Sequence, residues 1–381
     1  MEAPERNADV ASGPPAQQDA DQKRSNRLHA MAGGDGQYSY DQNSTYQRQL
    51  FETARPLLTA ALSRYQIPDQ SMLHVADLGC STGKNSVYQT GVLLSCLKAA
   101  GKLSPDTEIM VSFSDLPDND FNLLLKRASE ARQSDQAPTF LAAAVPGSFY
   151  EALFPKNWLH MVTCNTSLHW MSRVPLESER PRWNPGTIWY SRSQHQHVKD
   201  AYQKQGLKDL SDFLHYRGRE LVPGGFLWMY IPGPGSRKEL PQAGYEGNTW
   251  IDIIDDAWRD LVCEGVLDPE SLDTFNMPVY YPSVKEIAAL VESAGCYTID
   301  TLQYVESELS PDLRATTEQE REKAGVKQAD LVWAVVKSLV TGALGSEKAE
   351  RLFERMQRNA VPNLESYLTP KMYTCVALIR K

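Results

Sequence analysis

The sequence predicts an α/β fold: a doubly wound, mostly parallel sheet with helices on both faces and a helical cap over its open end. Three observations carry this. Short apolar runs alternate with stretches of helical period from residue 46 to residue 232. The first run, "MLHVADLG" (72–79), opens onto a Gly-bearing turn and then a helix, the order of strand–turn–helix ligand sites. The second, "EIMVSFSDLP" (108–117), stops at Asp115 and Pro117, placing a carboxylate where the next strand ends.

The elements follow in order. Leu50, Leu57, Leu58 and Leu62 share one face of a helix over 46–65. After the strand at 72–79, residues 85–100 form a helix that ends before Gly101. The strand at 108–117 leads to a helix over 119–132, and "LHMVTCN" (159–165) is a further strand. A long helix over 192–221 is closed by "VPGG" (222–225), and "FLWMYIP" (226–232) is the strand after it. The final "MYTCVALIRK" (372–381) reads as a last strand, inserted antiparallel at an edge or near it. Residues 233–280, with an apolar helix at 250–262, do not fit the alternation, nor does the polar stretch 306–330 or the helical run 330–358. They are assigned, with residues 175–190, to a cap made of segments near 175–190, 233–280 and 306–362. No internal repeat is visible.

Composition narrows the function classes. The 381 residues carry a net charge of −9 and no Lys/Arg-dense stretch, which argues against nucleic acid as a partner. The six cysteines form no CxxC pair, as expected of reduced thiols and not of a disulfide or zinc framework. Residues 1–28 are polar, lack an apolar core and read as a disordered tail. The apolar run 331–344 is too short for a bilayer and contains Lys337, so a soluble, cytoplasmic protein without a membrane partner is expected. His195 and His197, two apart on a helix, face different ways and do not make a metal pair.

The turn "VADLGCSTGKN" (75–85) admits three readings. A phosphate loop fails, because only three residues separate Gly79 from Gly83 and Asn85 follows Lys84. A Gly-x-Ser-x-Gly nucleophile elbow would make Ser81 the nucleophile of a serine esterase. No oxyanion-donor loop precedes it. A cofactor turn accounts for more: Gly79 and Gly83 admit a bulky ligand, and Asp115 can grip ribose hydroxyls. The turn lacks the third glycine of a dinucleotide fingerprint, which adenosylmethionine, having no pyrophosphate, does not require.

At this point the chain resembles the plant carboxyl methyltransferase family named for salicylate, benzoate and theobromine (SABATH). The residues that carry the resemblance are "MAGGDGQYSYDQNSTYQRQ" (31–49), "ADLGCSTGKNS" (76–86), "SDLPDNDFN" (114–122), "VPGSFYEALFP" (145–155), "SLHWMSRVP" (167–175), "LVPGG" (221–225), "FNMPVYYPS" (275–283) and the terminal "ALIRK". It covers about residues 29 to 381 and implies a Rossmann-like class I fold for S-adenosylmethionine-dependent methyl transfer, in a single domain that forms a homodimer. It implies a cofactor site of Tyr40, Ser44, Asp77, Cys80, Asn85, Asp115, Leu116, Ser148 and Phe149, with Asp115 on the ribose and Ser148 and Phe149 framing the adenine. Tyr38 and Tyr40 would close the entrance. Gln47, His169 and Trp170 would face the acceptor group, and Thr166, Trp250, Ile251 and Tyr280 would complete the substrate pocket. Some members hold a structural Mg2+, whose ligands match Asn184, Asp273, the Phe275 carbonyl and Asn276.

A carboxylic acid is already ionised at neutral pH, so such a reaction needs orientation rather than a base. The Trp170 indole and the Gln47 amide offer neutral donors for it, and His169 is either a third donor or a wall. Thr166 and Ile251 stand where salicylate-type members carry aromatic residues, which implies a longer acid. Cinnamate or p-coumarate is expected first, then benzoate or salicylate, then jasmonate or indole-acetate. N-methylation of a xanthine and a non-catalytic acid binder remain alternatives beside the esterase.

Overall fold

A computed structural model describes residues 31–68, 70–133, 138–179, 182–233, 250–307, 315–364 and 372–381. The N-terminal tail, residues 234–249 of one expected cap segment and residues 308–314 of another lie outside the described residues.

The elements, in chain order, are α1 (Thr45–Arg64), β1 (Met72–Leu78), α2 (Lys84–Ala99), β2 (Glu108–Asp115), α3 (Phe121–Arg132), β3 (Leu141–Pro146), β4 (Leu159–Asn165), α4 (Gln196–Glu220) and β5 (Leu221–Pro232). They continue with α5 (Trp250–Cys263), α6 (Pro269–Thr274), α7 (Val284–Ala294), β6 (Tyr297–Glu306), α8 (Glu318–Leu344), α9 (Ser346–Ala360) and β7 (Met372–Arg380). The strands form one sheet ordered β3-β2-β1-β4-β5-β7-β6. β7 runs antiparallel to both its neighbours, while the pairings from β3 to β5 are parallel. The order reverses beside β1, and ligands of doubly wound folds bind outside the carboxyl ends of the strands at such a point.

Helices α1, α2 and α3 bury Leu50, Phe51, Leu93, Leu94 and Leu124 on one face of the sheet. On the other, α4 and α7 contribute Leu210, Phe213, Ile287 and Val291. A separate apolar cluster forms the cap, joining α5, α8 and α9 to residues 183–190 and 277–281 around Trp189, Trp258 and Trp333.

Several expectations are corrected. "VPGG" is not a turn before a strand. β5 begins at Leu221 and absorbs it through a register shift opposite Leu159 and Met161, with Gly224 at φ +80°. Helix α8 begins at Glu318 inside the stretch taken as polar linker, because Thr317 and Glu320 form a capping box. The helical run is two helices, broken at Gly345 with φ +76°. The last strand does insert antiparallel near the edge, with β6 outside it. β3, α7 and β6 were not anticipated, although Ser283 and Glu286 at the start of α7 are a sequence-visible capping box. β3 is a run of three alanines with little strand propensity, held by pairing with β2.

Candidate active site

The turn after β1 is shaped by left-handed backbone at Gly79 (φ +80°), Ser81 (φ +47°) and Gly83 (φ +92°). A Cβ on Gly79 would lie 2.2 Å from the Ser167 hydroxyl oxygen and 3.8 Å from the Phe149 ring. Three segments that are remote in sequence therefore converge on that glycine: the turn, the residues framing the expected adenine pocket, and the loop after β4.

Asp115 closes β2 with its carboxylate already aimed. One oxygen accepts the Ser81 N–H at 2.7 Å and the other accepts the Leu116 N–H at 2.8 Å. Each oxygen retains a lone pair for further donors. Asp77 accepts the Thr163 hydroxyl at 2.6 Å, and burial, with the Asp115 charge adding to it, pushes its carboxyl up to about 6. Burial also raises Asp115, against the pull of its two backbone N–H groups. Among the described residues neither carboxylate is ion-paired. Two desolvated, unpaired carboxylates suit a cationic ligand with hydroxyls. Tyr40 is partly buried, and desolvation raises its phenol with the nearby Asp115 charge adding to it. The Asn85 amide donates to the Ser44 carbonyl at 2.9 Å, and the Ser44 hydroxyl is buried without a partner. Cys80 is buried and its thiol pushed well up, which makes it a wall rather than a nucleophile. Ser148 and Phe149 stand at the other side of Gly79, and Leu116 follows Asp115. These residues fit adenosylmethionine: a sulfonium and an ammonium for the acidic turn, ribose hydroxyls for Asp115, and an adenine for Phe149.

The acceptor loop begins at Thr166, whose φ of +54° turns the chain out of β4. Its hydroxyl donates to the Asn165 carbonyl at 2.8 Å, so it serves the turn. Met171 N–H donates to the Pro278 carbonyl, Tyr280 N–H donates to the His169 carbonyl, and Trp170 bridges Val279. His169 is buried with Nδ1 unpartnered, and desolvation lowers its imidazole to about 3, leaving it neutral. The Trp170 ring lies 5.9 Å from that of Trp250. Gln47 stands on the first turn of α1 with its Oε1 buried and unpartnered.

Of the expected pocket residues, Trp250 lies beside Trp170, whereas the side chains of Ile251 and Tyr280 are engaged elsewhere. Ile251 is 0 % exposed in the cap core, so Trp250 is the wall beside Trp170. The Tyr280 ring packs on Gly206 and its hydroxyl donates to Glu286 at 2.8 Å, away from the loop. Tyr281 instead stacks on His169 at 5.8 Å. Extended chain alternates its side chains at 280 and 281, and neighbours on a helix such as 250 and 251 also face different ways, so a one-residue error exchanges wall for core. The Ser81 hydroxyl has no hydrogen-bond partner, so no base activates it and the esterase reading has no support.

A family profile described as SAM dependent carboxyl methyltransferase matches residues 26–381. The chain belongs to this family. Its relatives include gibberellic acid methyltransferase 2 of Arabidopsis thaliana, 32% identical over 89% of this chain and 90% of that one. Indole-3-acetate O-methyltransferase 1 of Oryza sativa subsp. japonica is 34% identical over 90% and 89%. A 3,7-dimethylxanthine N-methyltransferase of Camellia sinensis var. assamica is 32% identical over 93% and 97%. Among solved structures, loganic acid methyltransferase with SAH superposes with a TM-score of 0.78 at 29% identity, covering 92% of this chain and 98% of that one. This methyltransferase is an adenosylmethionine-dependent enzyme of the class I fold.

The residues matched to a magnesium site do converge in the methyltransferase, with Asn184 Oδ1 buried and unpartnered. The Asn184 amide donates to Asn276 Oδ1 at 3.2 Å, and Asp273 accepts the Gly186 N–H at 2.9 Å and pairs with Arg182. Phe275 stacks on Trp258 at 4.8 Å. With Asp273 as its single carboxylate, the group does not by itself establish a magnesium site. Among the described residues no group of three or more His, Cys, Asp or Glu is arranged to hold a metal ion. No described helix is long and apolar enough to cross a membrane.

Proposed function

We propose that this methyltransferase esterifies a small acid, placing a methyl group on its carboxylate. The observation that carries the reading is the neutrality of the acceptor loop. His169 is held uncharged by burial, and Trp170 and Gln47 bring only neutral donors. Adenosylmethionine, when bound by Tyr40, Ser44, Asp77, Cys80, Asn85, Asp115, Leu116, Ser148 and Phe149, supplies an electrophilic methyl group. The chain's own contribution is alignment. The Trp170 indole N–H and the Gln47 amide hold one carboxylate oxygen, so that the other keeps a lone pair free for the methyl. Asp115 fixes the cofactor's ribose against the turn. No proton has to move, because the acid is ionised well below neutral pH.

For the acid itself, the aromatic wall of Trp170, Trp250, His169 and Tyr281 supports a planar body. Cinnamate and p-coumarate stand first in this reading, then benzoate and salicylate. Residues 29–381 act in it as one domain, paired as a cytoplasmic homodimer; light scattering and a fluorescent fusion check those two points. N-methylation of a xanthine is the second reading, favoured by the Camellia relative.

The test is methyl-labelled adenosylmethionine with a panel holding those four acids, jasmonate, indole-acetate, gibberellic acid, loganic acid and two xanthines. Base-labile label on a carboxylic acid supports the reading and ranks the acids. Base-stable label on a xanthine replaces it with the second.

A further inference from the structure

The residues framing the adenine pocket and the acceptor loop are joined by a hydrogen bond that the reading above does not use. Tyr150 directly follows Ser148 and Phe149, and its buried hydroxyl donates to the Trp170 carbonyl at 2.6 Å. Desolvation holds the phenol well above its ordinary range, so it stays a donor. The Phe149 ring meets the Tyr150 ring edge-on, with centroids 4.7 Å apart. Anything stacked on Phe149 therefore presses on the side chain that holds Trp170.

Both ends of this link are anchored to one helix. Arg217 of α4, wholly buried, donates to the carbonyls of Phe149 at 3.0 Å and Glu151 at 2.8 Å. Its partner Glu220 accepts from the N–H groups of Leu153 and Phe154. On the same helix, buried Asp209 accepts the Ser172 N–H at 2.8 Å and the Ser172 hydroxyl at 2.7 Å, two residues beyond Trp170. With both segments tied to a common frame, the bond between Tyr150 and Trp170 has little slack. A small displacement at Phe149 is carried to the Trp170 peptide instead of being lost in loop motion.

We propose that Tyr150 is a positioning residue that couples occupancy of the adenine pocket to the orientation of Trp170. The acceptor's donor group is set when the cofactor enters. This rests on the reading that Phe149 frames adenine and Trp170 faces the acid.

Hydrogen exchange of the full chain, with and without S-adenosylhomocysteine as the probe, tests it without requiring an acid. In the unmodified protein the probe should slow exchange at 79–85 and, by at least about fivefold, at 167–172. In Tyr150→Phe the slowing at 79–85 should persist while that at 167–172 falls below about twofold. Asp209→Asn loosens the same loop from the α4 side. It should raise basal exchange there and weaken the probe-dependent part while leaving that at 79–85 unchanged. Two results overturn the coupling: no protection at 167–172 in the unmodified protein, or its survival in Tyr150→Phe. The first needs no variant and decides the matter even if Tyr150→Phe does not fold. Absence of protection at 79–85 would instead remove the cofactor reading, and the coupling with it.

Discussion

The two halves of the proposed site are built by different means. The cofactor half is backbone: left-handed glycines, a strand-end carboxylate aimed by two N–H groups, and hydroxyls and amides of adjoining helix starts. The acceptor half is side-chain surface, in which rings from residues 169–170, 250 and 281 meet through packing of the cap. The first tolerates few substitutions, because its shape is set by φ angles that only certain residues adopt. The second can change its ligand by exchanging rings, at a cost in packing alone. This contrast accords with relatives that are all named methyltransferases but for a gibberellin, an indole acid and a xanthine.

The contrast is sharpened by damaging each half in turn. The largest effect is expected from Gly79→Ala. Its Cβ would collide with Ser167 at a φ of +80°, and calorimetry should show S-adenosylhomocysteine affinity falling on the order of 100-fold. Trp170→Phe keeps a ring and removes the donor. It should lower kcat/KM for the acid by roughly 10–100-fold, with cofactor affinity within about twofold. A comparable loss in cofactor affinity would break the division between halves. Tyr281→Ala should cost about tenfold in kcat/KM for the preferred acid and reorder the panel, whereas Tyr280→Phe should leave the order unchanged. A separate effect concerns stability instead of turnover. Buried His169 titrates near 3 when folded and near 6.5 when unfolded. The unfolded chain therefore binds the extra proton first, and stability is lost as pH falls from about 6.5 toward 3, at up to about 1.4 kcal/mol per pH unit. His169→Gln should remove that slope from urea-unfolding midpoints measured between pH 6.5 and 5.

The same contrast explains what could be read from sequence. Asp77, Gly79, Gly83 and Asp115 sit within two adjoining strand ends, so local order places them together. The strand–helix alternation gave the parallel half of the sheet for the same reason. Tyr281 stands where Tyr280 was expected, and Ile251 is buried behind the expected Trp250, because only packing decides which of two neighbours faces in. Asp209, Arg217 and Tyr150 carried no signal at all. Their importance lies in long-range bonds to backbone carbonyls and N–H groups, which no spacing rule encodes. The exception is α7, whose Ser283–Glu286 capping box was available and unread.

The central claim is that a neutral acceptor site aligns an acid that is ionised before it binds. The measurement that tests it most directly is kcat for the best acid of the panel across pH 6 to 8.5. A flat profile is expected, since neither His169 nor the acid changes charge in that range and the bound sulfonium favours ionised Asp77. A rise with a midpoint near 7, abolished by His169→Gln, would make His169 a general base and contradict it.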